Sequence, residues 1–237
     1  MEGKLPGVDV VVQRDDVPRR RRLLVADMDS TMITVECIDE LADYAGIKAE
    51  IAAVTDQAMR GELDFATALR ERVALLKGLD EGAIARCLDE RVGITPGAVQ
   101  LVRTMKRDGA RTILVSGGFT AFADRIGADI GFDSVVANEL DVENGKLTGT
   151  VGPAIVGAQG KRDALLDAAA LAGVDPRDSL AVGDGANDIP MLNAAGLGVA
   201  YRAKPAAAAA AAARIEHNDL TALLYAQGYR RAEWVEA

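Results

Sequence analysis

Two carboxylates, Asp27 and Asp29, stand one residue apart where the apolar run Leu23 to Ala26 stops. Like charges that close repel, so the pair needs a cation, a proton or hydrogen bonds to hold it. Similar polar punctuation recurs later in the chain. Ser116 ends the run TILVS and is followed by Gly117 and Gly118; Asp184 ends LAVGD, with Asn187 and Asp188 just behind it. Lys161 follows Gly160 where a helical pattern opens. Asp27, Asp29 and Asp184 are oxygen donors of the kind Mg²⁺ takes, with few protein carboxylates and several waters. Ser116, Gly117 and Gly118 offer a hydroxyl and backbone N–H groups near a helix start, where anions are favoured. Lys161 can bring a point charge. Singly, each residue has a plainer reading: a strand-ending Asp as a turn or helix cap, the lysine as an exposed side chain. Together they point to a metal ion and a phosphate.

For that to hold, the elements must bring these residues together. RLLVA, TILVS and SLAVG are short continuous apolar runs, as expected of parallel strands covered on both faces. In an open parallel sheet the ligand crevice lies at the carboxyl ends of the strands, so Asp27, Ser116 and Asp184 would face one crevice. Between the first and second of these strands, from about Thr34 to Arg91, the spacing becomes helical and is punctuated by Gly46, Gly61, Gly78 and Gly93. Pro96 and Gly109 bracket a further helix. SVVAN and the stretch around Asn144–Gly145 predict a strand and then a hairpin. KRDALLDAAALAGV reads as a helix, GLGVAYR as another strand, and the alanine-rich PAAAAAAAAR as a plain helix. The fold class is therefore α/β: a doubly wound parallel sheet with a helical subdomain inserted after the first strand and a small β-hairpin insertion. The expected divisions are an N-terminal extension over 1–21, an α/β core over 22–33 and 94–237, and a helical cap subdomain over 34–93. Val8 to Val12 could form an edge strand or be the remnant of a preceding domain.

Composition narrows the function. With 237 residues, 49% of them hydrophobic, the chain can bury a sizeable core. A formal net charge of −9 argues against general nucleic-acid binding, and the basic run Arg19 to Arg22 reads as a solvated approach to the first strand. No apolar run approaches the roughly 20 residues of a membrane helix, and no signal peptide is evident, so a cytoplasmic location is expected. Cys37 and Cys87 make no disulfide framework. The single histidine, His217, leaves no histidine cluster for a metal, so acid–base work falls to carboxylates. Composition leaves monomer and homodimer both open.

In order, DMDST, ILVSGG, Lys161 and GDGANDIPML match the four motifs of the haloacid dehalogenase superfamily, and the chain most resembles its phosphoserine phosphatases. The resemblance covers nearly everything from about Arg22. It implies a Mg²⁺-dependent hydrolase that converts O-phospho-L-serine to L-serine and phosphate, the last step of serine biosynthesis, through an aspartyl-phosphate. It assigns Asp27 as nucleophile and Asp29 as general acid and then base. Mg²⁺ would take the side chains of Asp27 and Asp184 and the backbone carbonyl of Asp29, with Asp188 orienting that shell. Ser116, Gly117, Gly118, Lys161 and Asn187 would hold the phosphoryl group. On the cap, the resemblance gives Glu36 to the substrate amine, Arg72 to its carboxylate, and Met59 and Phe65 to closure over the substrate. Spacing alone also allows Glu36 as a first-turn helix acid, Arg72 as a partner of Glu71, and Met59 and Phe65 as core. Gly93 and the segment near Thr34 are the expected hinges. Transfer of the phosphoryl group to homoserine, hydrolysis of another small phosphometabolite, and a phospho-receiver signalling module are the competing readings.

Overall fold

The computed structural model describes residues 6–14, 16–60 and 62–236, with Met59 described by its backbone alone. Gly61 and the first five residues lie outside it. The first strand, β1 (Leu23–Asp27), ends at the first carboxylate. Four helices follow: α1 (Cys37–Ala45), α2 (Lys48–Met59), α3 (Phe65–Leu75) and α4 (Gly82–Arg91). The chain then resumes its α/β rhythm with α5 (Ala98–Arg107), β2 (Arg111–Phe119), α6 (Thr120–Ile130) and β3 (Ser134–Asn138). A hairpin, β4 (Leu140–Glu143) and β5 (Lys146–Val151), precedes α7 (Ala158–Ala172), β6 (Ser179–Gly183), α8 (Ile189–Ala194) and β7 (Leu197–Tyr201). Last come α9 (Pro205–Ala210), β8 (Ala213–Ile215) and α10 (Ala222–Ala226).

The sheet has six strands in the order β3-β2-β1-β6-β7-β8, and every pair in it is parallel. Side chains alternate across a strand, so β1 serves both faces. Leu24 and Ala26 pack with Leu101 and Val102 of α5. Leu23 and Val25 pack with Leu165 and Ala169 of α7 and Met191 of α8. This two-sided burial is why the strands read as unbroken apolar runs. It also fixes β1 and β6 side by side, with Ala26 opposite Val182, so that Asp27 and Asp184 leave the sheet together.

Helices α1 to α4 leave and re-enter the sheet through two adjacent linkers. Ile33 bridges Ile94, Thr34 N–H donates to the Gly93 carbonyl at 2.9 Å, and Thr95 N–H donates to the Met32 carbonyl at 3.0 Å. A second connection runs through the hairpin. Gly78 N–H donates to the Leu147 carbonyl (2.8 Å), and Leu147 N–H to the Leu79 carbonyl (2.9 Å). Asn144 and Gly145 turn the hairpin with φ of 51° and 74°, the two positive values a type I′ turn needs.

Three expectations change. β2 does not stop at Ser116 but continues through Gly117 and Gly118 to Phe119, with its register against β3 shifting between Val115 and Phe119. The alanine-rich tract is helical only to Ala210. Its end turns into β8, because Ala213 and Ile215 are buried there and pair with β7; tertiary pairing outweighs the helix preference of alanine. Residues 8–12 form no strand. The Asp9 carboxylate instead accepts hydrogen bonds from the backbone N–H groups of Glu216, His217 and Asn218 at 2.8–3.2 Å.

Candidate active site

Beyond Asp27 the backbone makes a tight turn. Asp29 is extended (φ −64°, ψ 135°) and Ser30 is left-handed at φ 55°, an uncommon conformation for a residue with a Cβ. The turn folds Asp29 back toward β2. Asp29 Oδ2 accepts from Ser116 Oγ at 3.2 Å and Oδ1 from the Cys37 N–H at 2.8 Å. Ser116 Oγ in turn accepts from the Gly118 N–H at 2.8 Å. Gly118 leaves the room this needs, since a Cβ there would lie 2.9 Å from Asp29 Oδ2.

Lys161, in the first turn of α7, is fully buried. Its Nζ donates to Asp27 Oδ1 at 2.5 Å and Asp188 Oδ1 at 2.7 Å. Buried charges persist only when paired in this way. Asp188 Oδ2 accepts from the N–H groups of Asp184 and Gly185 at 3.1 and 2.9 Å, which fixes the turn after β6. Oxygens of Asp27, Asp184 and Asp188 all lie within 4.8 Å of one another. Three buried carboxylates that close form a donor set suited to a hard cation.

Burial sets the electrostatics. It pushes the Asp27 carboxyl up, opposed by the Lys161 charge. Burial, with Glu36 nearby, raises Asp29 to about 6. The same effect raises Asp184, with Lys204 pulling the other way. Burial lowers Arg72, while Asp39, Glu36 and Asp29 favour its charge.

A cavity of about 310 Å³ covers these groups. Asp27, Asp29, Gly117, Gly118, Lys161, Asp184 and Asn187 line its floor, and Glu36, Phe65 and Arg72 line its cap side. Ser116 and Asp188 lie behind the floor, buried. The Met59 side chain lies outside the described residues. Phe65 opens α3 behind an Asp64 helix cap that accepts the Thr67 N–H at 2.9 Å. The Phe65 ring rests on two glycines: a Cβ at Gly117 would meet it at 3.1 Å, and one at Gly157 at 3.2 Å.

Two residues escaped the sequence reading. Buried Asn138 donates from Nδ2 to the Gly117 carbonyl (2.8 Å) and accepts the Val156 N–H on Oδ1 (2.8 Å). It thus ties the β2 end to the loop that leads into Lys161. Its only sequence signal is an amide where the apolar run SVVA stops. Lys204 lies beside both Asp184 and Glu36 on the cavity wall; a single lysine before a proline carries no signal of its own.

The haloacid dehalogenase-like hydrolase model matches residues 24–193. The phosphoserine phosphatase of Albidiferax ferrireducens is 47% identical over 209 residues, covering 86% of this chain and 88% of that protein. That of Polaromonas sp. is 44% identical over 225 residues, covering 92% and 95%. A solved structure described as a phospho-aspartyl intermediate analogue of phosphoserine phosphatase superposes with a TM-score of 0.80 at 38% identity, covering 87% of this chain and 98% of that one. The chain belongs to the haloacid dehalogenase-like hydrolase family.

Proposed function

We propose that this chain is a Mg²⁺-dependent phosphoserine phosphatase, hydrolysing O-phospho-L-serine to L-serine and phosphate. The carrying observation is the buried cluster in which Lys161 joins Asp27 to Asp188 beneath a cavity walled by Glu36 and Arg72. Asp27 has one oxygen taken by Lys161 and the Met28 N–H; its other oxygen attacks phosphorus. The P–O ester bond breaks, and Asp29 gives its proton to the departing serine oxygen. A raised pKa suits Asp29 to this role. Asp29, now a carboxylate, takes a proton from the water that attacks the aspartyl-phosphate, releasing phosphate and restoring Asp27.

Asp27, Asp184 and the Asp29 carbonyl would hold Mg²⁺, which when bound offsets the charge of carboxylates and phosphoryl oxygens. Asp188 orients this shell, since both its oxygens already accept hydrogen bonds from Lys161 and the β6 turn. Gly117, Gly118, Lys161 and Asn187 bind the phosphoryl oxygens, joined by the Ser116 hydroxyl once it leaves Asp29 Oδ2. On the cap side Glu36 takes the amine and Arg72 the carboxylate, where a planar guanidinium offers two parallel hydrogen bonds. Phe65, with Met59 by resemblance, closes the cavity and excludes bulk water. Residues 34–93 are the cap, turning about the paired linkers near Thr34 and Gly93.

The test is phosphate release from a panel of small phosphomonoesters, with and without Mg²⁺ and with and without homoserine. Phosphoserine should lead the panel, Mg²⁺ should be required, and homoserine should change neither rate nor product. A better substrate without an amino-acid group, or phosphohomoserine as product, would overturn the reading.

A further inference from the structure

Glu36 stands in a crowd of its own sign. It is close enough to Asp29 and Asp184 to raise both their pKa values. It is also half-exposed, on the segment that enters α1, so its carboxylate has a low-cost way out into water. Two contacts oppose that. Ser30 Oγ donates to Glu36 Oε1 at 2.8 Å. The Lys204 ammonium lies 3.8 Å from the same oxygen and 3.3 Å from Asp184 Oδ2. Among the described residues Glu36 Oε2 accepts no hydrogen bond, which leaves it for a ligand.

Lys204 is held at its base. It caps α9 with an extended backbone, φ −60° and ψ 150°, as the following proline requires. Its own N–H donates to the Asp184 carbonyl at 2.9 Å. The loop after β7 is thereby fastened to the end of β6, and the side chain has only to span from there to Glu36. A cation between two carboxylates removes the repulsion that would drive the half-exposed one away.

We propose that Lys204 is a positioning residue for substrate recognition: it bridges Asp184 on the core to Glu36 on the cap linker and so holds Glu36 ready for the substrate amine. This deepens the phosphoserine reading and rests on it. Lys204 does not touch the reacting atoms. It acts through Glu36, so its effect is confined to ligands that carry an ammonium group.

The experiment compares phosphoserine with phosphoglycolate, a phosphomonoester one carbon shorter that keeps the phosphate and carboxylate and lacks the amine, each variant being read against the wild-type ratio. In Lys204→Met the kcat/KM ratio of phosphoserine to phosphoglycolate should fall about fivefold, the scale of a partly exposed ion pair, chiefly through KM for phosphoserine. Lys204→Arg should restore most of that ratio. In a Glu36→Gln background, Lys204→Met should leave the ratio where Glu36→Gln alone puts it. Equal losses on both substrates would show that the lysine acts on the phosphate or the metal ligands instead, and would overturn the proposal. So would an independent, additive effect in the Glu36→Gln background. A wild-type enzyme inactive on phosphoserine would overturn the functional reading and this one with it; an active wild type with equal losses overturns this one alone.

Discussion

Arg72 and Asp29 sit in one cavity yet are controlled by opposite needs. In the proposed mechanism Asp29 gains and loses a proton, and burial brings its pKa to about 6. Arg72 must keep its charge despite burial, and the acidic groups around it favour that. The guanidinium is also tied back, since Nε donates to the Ala68 carbonyl at 3.3 Å, one turn earlier in α3. That leaves its terminal nitrogens for a carboxylate. Arg72→Ala should therefore lower kcat/KM for phosphoserine about thirtyfold more than for phosphoethanolamine, the scale of hydrogen bonds to a charged group. Steady-state kinetics on both compounds check this, and equal losses contradict a carboxylate clamp. The meeting of Asp27 and Asp184 was legible in the sequence because each stands at or just past the end of a continuous apolar run. Asn138 and Lys204 were not, because each works through contacts far away in the chain. Asn138 joins positions 117 and 156, and Lys204 joins 36 and 184.

Among the elements, β7 and α8 approach each other closely. A Cβ on Gly198 would stand 2.2 Å from the Leu192 carbonyl oxygen, which is backbone and has no rotamer to yield. Gly198→Ala should destabilise the protein by about 1–3 kcal/mol or more, the usual cost of overpacking. Urea unfolding measures this as a lower midpoint, and an unchanged midpoint would mean that β7 and α8 can separate freely. The parallel strands were readable because two-sided burial leaves continuous apolar runs, and the hairpin because Asn144–Gly145 names its turn. β8 was hidden because the end of a helix-forming alanine tract pairs with β7 only through contacts 14 residues away in the chain, Val199 to Ala213. The extension of β2 was hidden because glycines rarely mark a strand interior. Here Gly117 and Gly118 stay extended so that Phe65 and Asp29 can come close.

Across the whole molecule, ion pairs join segments far apart in the chain. Arg20 reaches Asp108 at 2.7 Å and Glu233 at 2.6 Å, and the Glu233 carboxylate also accepts from Arg230 N–H at 2.8 Å. These bonds, the Arg230 backbone N–H foremost, hold the Glu233 carboxyl at about 2, against an ordinary 4.5. A folded pKa below the unfolded one means stability that is full above 4.5 and lost as pH falls toward 2. The stability difference between the wild type and Glu233→Gln should accordingly be larger at pH 7 than at pH 3. Urea midpoints at the two values measure it, and a difference that does not shrink at pH 3 would contradict the assignment. Among the described residues no helix is long and apolar enough to cross a membrane.

In the proposed mechanism Asp27 carries the phosphoryl group during turnover. Acid quenching of the Mg²⁺-loaded enzyme during steady-state hydrolysis of phosphoserine, followed by digestion and mass mapping, tests it directly. Phosphate is expected on the peptide containing Asp27, at that residue, and none in Asp27→Asn. A phosphoryl group on any other residue, or undiminished turnover by Asp27→Asn, would contradict it.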